Sequence, residues 1–443
     1  QSALEHPLTT IFSGPVAAVS GMAWLASLAG YEDLITFDVG GTSTDVSLIQ
    51  DGKYQTFPAT EIAGFPLRIP MVDVLSIGAG GGSIAFEAAD KRWHVGPNSA
   101  GAEPGPACYG LGGTEPTLTD ANLILGRIPR GLLGGEMILD EDASLSALTN
   151  FGLTRGLSAE AAAIGMLEIA INSMCGAIRR VSVLRGREAT SLTLVAMGGA
   201  GPIFAAEVAE LIGITTVVVP PDPSLAAAWG VYVADITRDF SLAFEYLADT
   251  VSLKELESGF MELEKKSLIW IETELLKSSD CKLVRKLDLK YEGMTHGTTV
   301  DFKLGSNIKN SLEEAVELFH QRHAELTGHL WKEHERVEII NLRLAINAAQ
   351  PHPVPLPQKP AKKINAITSP LKRIFFHGGF GSIESQVYQR KNLPSSFFIV
   401  GPALIEQESA TIVLPPNWNA STDESGNLII RSHQPDSDIL PIG

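Results

Sequence analysis

Cysteine is scarce in this sequence: Cys108, Cys175 and Cys281 are the only three among 443 residues. An odd number of widely spaced thiols argues against a disulfide framework and does not match the spacing of a zinc ribbon. We therefore expect a reducing compartment, the cytoplasm. Cys108 could act as a nucleophile, but no neighbour in the sequence would lower the pKa of its thiol, so a buried structural thiol is the expected role.

Basic clusters and long apolar runs are also missing. The chain has 34 Lys and Arg against 51 Asp and Glu, which gives a formal charge of −17. This balance argues against nucleic acids and anionic membranes as partners, and no apolar run reaches the length of a membrane span. With 44% apolar and 19% charged residues, the chain should be globular and large enough for two or three domains.

The most informative segment is the run Asp38-Val-Gly-Gly-Thr-Ser-Thr-Asp45. Apolar residues lie on both sides of it, a pattern that predicts a strand, a tight turn and a second strand. Gly40 and Gly41 could take a positive φ and let a ligand approach the backbone. An ordinary Asp/Gly hairpin is the alternative interpretation.

Polar groups surround this turn. The hydroxyls of Thr42, Ser43 and Thr44, together with backbone N–H groups, could donate to phosphate oxygens. Asp38 and Asp45 flank the turn, where they could hold a hydrated Mg²⁺ or orient an attacking group. The turn is therefore a candidate phosphate site.

Two further glycine-rich segments follow along the chain. Residues 78–83 (GAGGGS) could form a second anion-binding or hinge loop, or a plain flexible turn. Residues 198–202 (GGAGP) come after an apolar strand and open a helix at Pro202, an arrangement that favours anions at the helix N-terminus. By spacing alone, any tight strand–helix connection resembles this second segment.

The remaining patterns indicate the domain organisation. Strand, glycine turn, helix and strand alternate over residues 1–250, which predicts an α/β domain with a long helix at 158–185. Residues 251–350 read as a separate α+β domain. Six prolines in residues 351–370 indicate a linker, and residues 371–443 read as a small β-rich C-terminal module.

Several segments, taken in order, resemble the hydantoinase/oxoprolinase family, which includes the A-type subunit of ATP-dependent N-methylhydantoinase. 5-Oxoprolinase and the acetone carboxylase β subunit are among its relatives. The resemblance runs from about Ser2 to Ile430. It is carried by residues 38–45 (DVGGTSTD), 78–83 (GAGGGS), 101–110 (GAEPGPACYG), 119–122 (TDAN), 198–202 (GGAGP) and 401–406 (GPALIE).

This family is similar to the actin, sugar-kinase and heat-shock chaperone ATPases, which bind ATP in a cleft between two related domains. The resemblance implies that residues 38–45 form a phosphate loop and residues 198–202 an adenosine loop. Asp38 and Asp45 would be catalytic, with Asp38 holding a Mg²⁺-bound water or acting as a base. The small-residue helices at 15–29 and 225–235 would be the two interdomain helices. The implied cofactor-binding residues are Gly40, Gly41, Thr42, Ser43, Thr44, Gly198, Gly199 and Gly201.

Two departures from the family pattern matter. Full-length members begin with a further domain that carries a first phosphate loop, so we expect this chain to be the second half of such a subunit, with weak ATP binding and little activity alone. Many relatives also carry a histidine where this sequence has Leu75. A metal site formed by Asp73 and Asp120 would therefore lack its imidazole ligand.

The chemistry implied by the resemblance is ATP-dependent opening of a cyclic amide (a hydantoin, a lactam or 5-oxoproline) by phosphorylation of the amide oxygen. ATP and Mg²⁺ are the implied cofactors, and a B-type hydantoinase subunit in a homo- or hetero-oligomer is the implied partner. Two alternatives stay open: a subunit of an ATP-dependent ketone carboxylase, and a non-catalytic scaffold.

Overall fold

The computed structural model describes residues 13–54, 56–57, 60–62, 65–67, 71–294, 297–303, 308–327, 335–350 and 371–433. Two compact units divide the chain. The first contains Gln1–Val233 and Pro353–Gly443, and the second is Ala234–His352. The predicted linker at 351–370 lies outside the described residues.

Numbered along the described chain, the helices are α1 (Ser13–Leu28), α2 (Leu118–Ile124), α3 (Glu141–Leu153), α4 (Ala159–Leu184), α5 (Gly201–Ile212), α6 (Ala226–Val233), α7 (Leu253–Thr273) and α8 (Ile308–Thr327). The strands are β1 (Leu34–Val39), β2 (Thr44–Gln50), β3 (Lys53–Tyr54), β4 (Thr56–Phe57), β5 (Thr60–Ile62), β6 (Phe65–Leu67), β7 (Met71–Val72), β8 (Leu75–Ile77), β9 (Ser83–Glu87), β10 (Trp93–Ser99), β11 (Gly131–Leu132), β12 (Met137–Ile138), β13 (Thr193–Met197), β14 (Thr216–Val219), β15 (Ile236–Leu247), β16 (Cys281–Tyr291), β17 (Thr298–Asp301), β18 (Val337–Ala348), β19 (Lys372–Phe376), β20 (Gly381–Gln389), β21 (Phe398–Val400), β22 (Ala403–Glu406), β23 (Thr411–Leu414), β24 (Trp418–Thr422) and β25 (Leu428–Ser432).

A nine-stranded mixed sheet forms the centre of the first unit, in the order β21-β24-β25-β14-β13-β1-β2-β3, with β8 paired to β2. Strands β1, β13 and β14 are parallel, and α5 connects β13 to β14, as expected for a βαβ unit. β1 is nearly continuous in apolar side chains, which suits a strand covered on both faces. The predicted α/β fold is confirmed.

The long helix α4 confirms the helix predicted at 158–185. Ser158 caps its first turn, where the side-chain oxygen accepts a hydrogen bond from the Ala161 N–H at 3.1 Å. By length and composition alone α4 could span a membrane, but over half of that segment is buried, and its apolar face belongs to the main core of the first unit. Burial in the core explains the apolar composition.

The small-residue helices α1 and α6 pack against each other. A Cβ atom built on Gly230 would lie 1.6 Å from the Ala17 carbonyl oxygen, and one on Gly21 would lie 2.5 Å from the Gly230 nitrogen. Because the two backbones touch at these glycines, larger residues would separate the helices. This contact accounts for the Ala- and Gly-rich composition of both segments.

The described tail strands do not form a module of their own, contrary to the prediction for 371–443. β25 pairs antiparallel with β14, and β24 and β21 extend the central sheet from there. β19, β20, β22 and β23 form a four-stranded sheet in the same unit. The physical reason is that β14 has an unpaired edge, which β25 fills with buried Leu428, Ile429 and Ile430.

The second unit is an antiparallel sheet in the order β15-β18-β16-β17, with α7 and α8 packed on it. It begins earlier than the predicted boundary at 251, because β15 pairs with β18 from Ile236 onward. Its core is separate from that of the first unit.

Candidate functional site

Three glycine-rich segments meet at one cleft in the first unit. The cleft has a volume of about 280 Å³ and is lined by Gly40 and Gly41, by Gly81 and Gly82, and by Gly199. These residues lie in the β1–β2 turn, in the loop after β8 and in the turn after β13. Segments that were predicted separately from the sequence therefore form one site.

Backbone hydrogen bonds join the first two segments. The Gly81 N–H donates to the Gly40 carbonyl at 2.9 Å, and the Gly82 N–H donates to the Gly41 carbonyl at 2.7 Å. A Cβ atom on Gly80 would lie 2.7 Å from the Thr42 nitrogen, so only glycine permits this approach. The loop at 78–83 is thus tied to the β1–β2 turn, which argues against a plain flexible turn.

The β1–β2 turn is open toward the cleft. Neither Gly40 nor Gly41 has a positive φ, contrary to prediction, and a Cβ atom on either would meet no atom within 4 Å. The Gly40 N–H donates to the Ser43 carbonyl at 3.1 Å and is already used. No hydrogen bond from the Gly41 or Thr42 N–H occurs within the described residues, so these two groups are free to donate to an anion.

The three hydroxyls of the turn have different surroundings. Thr42 is exposed, and the Ser43 hydroxyl donates to Asp45 Oδ2 at 3.5 Å. Thr44 is fully buried, and its hydroxyl donates to the Ala79 carbonyl. The predicted role of Thr44 as a phosphate donor is therefore wrong, because its only proton is already shared inside the protein.

Asp38 and Asp45 lie directly opposite each other on β1 and β2. Burial, and next the charge of Asp45, raise the pKa of Asp38 to about 6. Two facing carboxylates disfavour each other's charge unless a cation lies between or beside them. This oxygen-only pair fits Mg²⁺, which prefers one or two carboxylates together with waters and phosphate oxygens.

The turn after β13 has two kinds of glycine. Gly198 has φ +76°, and a Cβ atom there would lie 2.3 Å from the Val39 carbonyl oxygen and 2.5 Å from Asp38 Oδ1. Gly201 similarly approaches the Phe37 carbonyl oxygen. Both glycines contact β1, whereas Gly199 lines the cleft. Of the three predicted adenosine-loop glycines, only Gly199 faces a possible ligand.

The N-terminus of α5 also faces the cleft. Ala200, the N-cap residue, and Ile203, in the first turn, are among the lining residues, and the Ala200 N–H donates to the Val39 carbonyl at 3.0 Å. The positive end of this twelve-residue helix favours an anion at the same place as the free N–H groups of the β1–β2 turn.

The structure does not support the predicted metal site at Asp73 and Asp120. Asp73 Oδ2 accepts hydrogen bonds from Arg185 Nε at 2.9 Å and Nη2 at 2.6 Å, and Leu75 is a strand residue paired with Val46. No cluster of three or more His, Cys, Asp or Glu residues suited to a metal exists in the part of the chain that the structure describes. The Asp120 carboxylate is fully buried and accepts from Ala107 N, Cys108 N, Thr117 N, Thr117 Oγ1 and Ser144 Oγ.

Those donors occupy every lone pair of Asp120 that a cation would need. The carboxylate instead fixes the loop around Cys108 and the capping box of α2. Cys108 is fully buried, and burial, with the Asp120 charge next, raises the pKa of its thiol. A buried structural thiol is the role that the sequence predicted.

Sequence reasoning missed the apolar part of the cleft wall. A buried ion pair supports that wall: Arg127 Nη2 lies 2.6 Å from Glu207 Oε2 and also donates to the Ile203 carbonyl at 2.9 Å. The apolar part of the wall consists of Ile128, Leu132, Leu133, Met137 and Ile203.

The other missed element is the β22–β23 turn, residues 407–410, which lines the same cleft together with Thr411 at the start of β23. The segment 401–406 just before it was part of the family pattern. Nothing in its spacing shows, however, that the next five residues reach glycines more than two hundred positions earlier.

The chain matches the family model of hydantoinase/oxoprolinase over residues 1–240 and that of the hydantoinase/oxoprolinase C-terminal domain over residues 247–431. The chain belongs to the hydantoinase/oxoprolinase family. The resemblance inferred from the motifs is thereby confirmed.

Individual members of the family give closer comparisons. The caprolactamase alpha subunit of Pseudomonas jessenii is 33% identical over 430 residues, covering 95% of this chain and 61% of the relative. The crystal structure of the ATP-dependent caprolactamase from that organism superposes with a TM-score of 0.78 at 32% identity, covering 95% of this chain and 62% of the other. The acetophenone carboxylase gamma subunit of Aromatoleum aromaticum is 30% identical and covers 96% of this chain and 60% of the relative.

A nucleotide-free acetone carboxylase structure has a TM-score of 0.83 at 23% identity and covers 96% of this chain and 62% of the other. At that identity the likeness shows the fold alone. The chain spans about three fifths of the length of these relatives.

Proposed function

We propose that this chain is the ATP-binding part of an enzyme that opens a cyclic amide by phosphorylating the amide oxygen. One observation carries the proposal: three glycine segments and the N-terminus of α5 line one cleft, and the facing pair Asp38 and Asp45 flanks the β1–β2 turn that borders it. This combination suits a polyphosphate with its cation. The similarity to an ATP-dependent caprolactamase supports the choice of substrate class.

Phosphorylation would activate a cyclic amide, because amide resonance makes the carbonyl carbon a poor electrophile. Transfer of the ATP γ-phosphoryl group to the amide oxygen removes that resonance. Water then adds to the carbon, the C–N bond breaks as nitrogen takes up a proton, and a second water hydrolyses the acyl phosphate. The products are ADP, phosphate and a ring-opened amino acid, so the protein mainly positions groups and neutralises charge.

The described residues divide this task. The N–H groups of Gly41 and Thr42 and the N-terminus of α5 would hold phosphate oxygens. Asp38 and Asp45 would hold Mg²⁺ through its waters, and the bound ion would supply positive charge to the phosphoryl group. In the same proposal, Asp38 would also accept a proton.

We also propose the wider assembly. An actin-like ATPase cleft would be completed by a further domain carrying the first phosphate loop, and a B-type subunit would supply the site of ring opening in the cytoplasm. The two relatives of at least 30% identity described above are themselves named as subunits, alpha and gamma, which supports a hetero-oligomer.

A second function is favoured by one comparison. The acetophenone carboxylase gamma subunit is nearly as similar as the caprolactamase subunit, so the same ATP module could instead activate a ketone and bicarbonate. ADP release separates the two, since a lactam or hydantoin should stimulate it in the first case and a ketone with bicarbonate in the second.

The first experiment is calorimetric titration of Mg·ATP into this chain and into Gly41→Ala. The new methyl group meets no protein atom within 4 Å, so it should leave the fold intact while blocking the approach of phosphate. We expect Gly41→Ala to bind Mg·ATP at least about tenfold more weakly, because one charge-assisted hydrogen bond to phosphate would be lost.

Gly176→Ala is the matched control. Its new methyl group also meets no atom within 4 Å, it lies within α4, and affinity should not change. A folded wild-type chain that gives no heat with Mg·ATP would favour the scaffold alternative. Equal affinities for the parent and Gly41→Ala would contradict the phosphate site.

A further inference from the structure

Glu408 is the only charged side chain among the described residues that line the cleft. It lies at the exposed end of the β22–β23 turn. Within the described parts of the chain, its carboxylate has no hydrogen bond or ion pair that would explain its position. A lone carboxylate in a cleft suited to a polyanion calls for a physical reason, because like charges repel at short range.

The turn that carries Glu408 is held firmly. The Gln407 N–H donates to the Ala410 carbonyl at 2.9 Å, which closes the turn. The buried Arg390 donates from Nη1 to Gln407 Oε1 at 3.0 Å, and from Nη2 to the Val219 carbonyl at 2.8 Å. The backbone of Glu408 is therefore fixed before any ligand binds, as a recognition element requires.

Glu408 lies where the cleft meets a second cavity of about 810 Å³ in the same unit. The two spaces share Leu133, Gln407, Glu408 and Ser409. On one side of this boundary are the glycine turns, and the Ser409 carbonyl oxygen lies 3.5 Å from a Cβ atom built on Gly199. The other side is lined by residues that include Pro221, Gln389 and Arg390 and by none of these glycine turns.

If the phosphates of a nucleoside triphosphate bind at the glycine turns, its ribose would lie at this boundary. The ribose carries two hydroxyl donors and no charge. A carboxylate only accepts hydrogen bonds, and it serves this purpose in dinucleotide-binding folds, where an acidic residue accepts from the ribose 2′-hydroxyl.

We propose that Glu408 binds the ribose hydroxyls of the nucleotide and so selects ribonucleotides over deoxyribonucleotides. The inference rests on the proposed function, because it assumes that the cleft binds ATP. It explains why a negative side chain is present here: at the ribose it gains hydrogen bonds, whereas beside the phosphates it would weaken binding.

The test compares dissociation constants of Mg·ATP, Mg·2′-deoxy-ATP and Mg·3′-deoxy-ATP, measured by calorimetry on this chain. The parent should bind at least one deoxy analogue about tenfold more weakly or worse, the size expected for a hydrogen bond to a charged group. Glu408→Ala should bind all three alike, and Glu408→Gln should keep part of the discrimination through its amide oxygen. Glu424→Gln is the control, because Glu424 is exposed and does not line the cleft.

Equal affinity of the parent for ATP and both deoxy analogues would overturn the inference while leaving the proposed function intact. Tighter ATP binding by Glu408→Ala would place the carboxylate beside the phosphates and would also overturn it. A folded parent that binds none of the three would overturn the proposed function together with the inference.

Discussion

Two glycine turns border the same cleft, yet their glycines are required for opposite reasons. In the β1–β2 turn, Gly40 and Gly41 leave empty space where a side chain would stand. In the turn after β13, Gly198 fills a space already crowded by the Val39 carbonyl and the Asp38 carboxylate. The first turn is open to a ligand, and the second lets two strands of the sheet approach each other.

The comparison shows that a glycine motif has two physical meanings. In one, the missing side chain makes room for something outside the protein, and in the other for the protein's own backbone. Only the first kind can be substituted without loss of stability. Substitutions at the two kinds of position should therefore have different effects on the free energy of unfolding.

Gly198→Ala should have the largest effect. Alanine disfavours φ +76°, and its methyl group would overlap the Val39 carbonyl oxygen at 2.3 Å, so we expect a loss of about 2–5 kcal/mol in unfolding free energy. Gly199→Ala is the matched control, since its nearest contact would be 3.5 Å away, and it should change stability by less than about 0.5 kcal/mol. Urea denaturation measures both, and equal effects would contradict the distinction between the two positions.

Asp38→Asn should stabilise the chain at neutral pH. The folded-state pKa of Asp38 is raised from 3.8 to about 6, mainly by burial. Between these values the native state binds more protons at Asp38 than the unfolded state does, so the contribution of Asp38 to stability is most favourable below pH 4 and falls as the pH rises to 6. The cost at pH 7 is about 3 kcal/mol at most, and the asparagine variant should remove it.

Unfolding of both proteins should be followed by urea denaturation from pH 4 to 8 in EDTA. The difference between parent and variant should grow between pH 4 and 6 and then level off. Asp90→Asn is a control, because Asp90 is exposed and should give no such pH dependence. If the difference in unfolding free energy between parent and variant did not change with pH, burial and the facing Asp45 would not raise the pKa of Asp38, and the prediction would be wrong.

Local features of the fold could be predicted because neighbouring residues determine them. Apolar residues repeating every three to four positions after the cap Ser158 predicted α4. The apolar run before Gly198 predicted β13, and Pro202 predicted the start of α5. The strand, turn and strand around Gly40 followed from alternation and turn chemistry. These assignments require no knowledge of distant partners.

Distant contacts could not be predicted in this way. Nothing in the spacing of residues 428–432 shows that they pair with β14, or that Glu408 reaches the cleft. The Asp120 prediction was wrong for a related reason: whether a carboxylate faces a cation or five internal donors depends on loops that fold around it. Residue type alone does not separate these cases.

Thr44→Val should have the smallest of the three effects on stability, and it returns to the first turn. Valine keeps the shape of threonine but removes the buried hydroxyl that donates to the Ala79 carbonyl, at a cost of about 1–2 kcal/mol. Thr42→Val, at the exposed end of the same turn, should change stability by less than about 0.5 kcal/mol. Urea denaturation should therefore show a loss of stability for Thr44→Val but not for Thr42→Val. Mg·ATP calorimetry should show a loss of affinity for Thr42→Val but not for Thr44→Val. If Thr44→Val weakened ATP binding without loss of stability, its hydroxyl would have to turn into the cleft, and the division between structural and ligand-facing residues within this turn would be wrong.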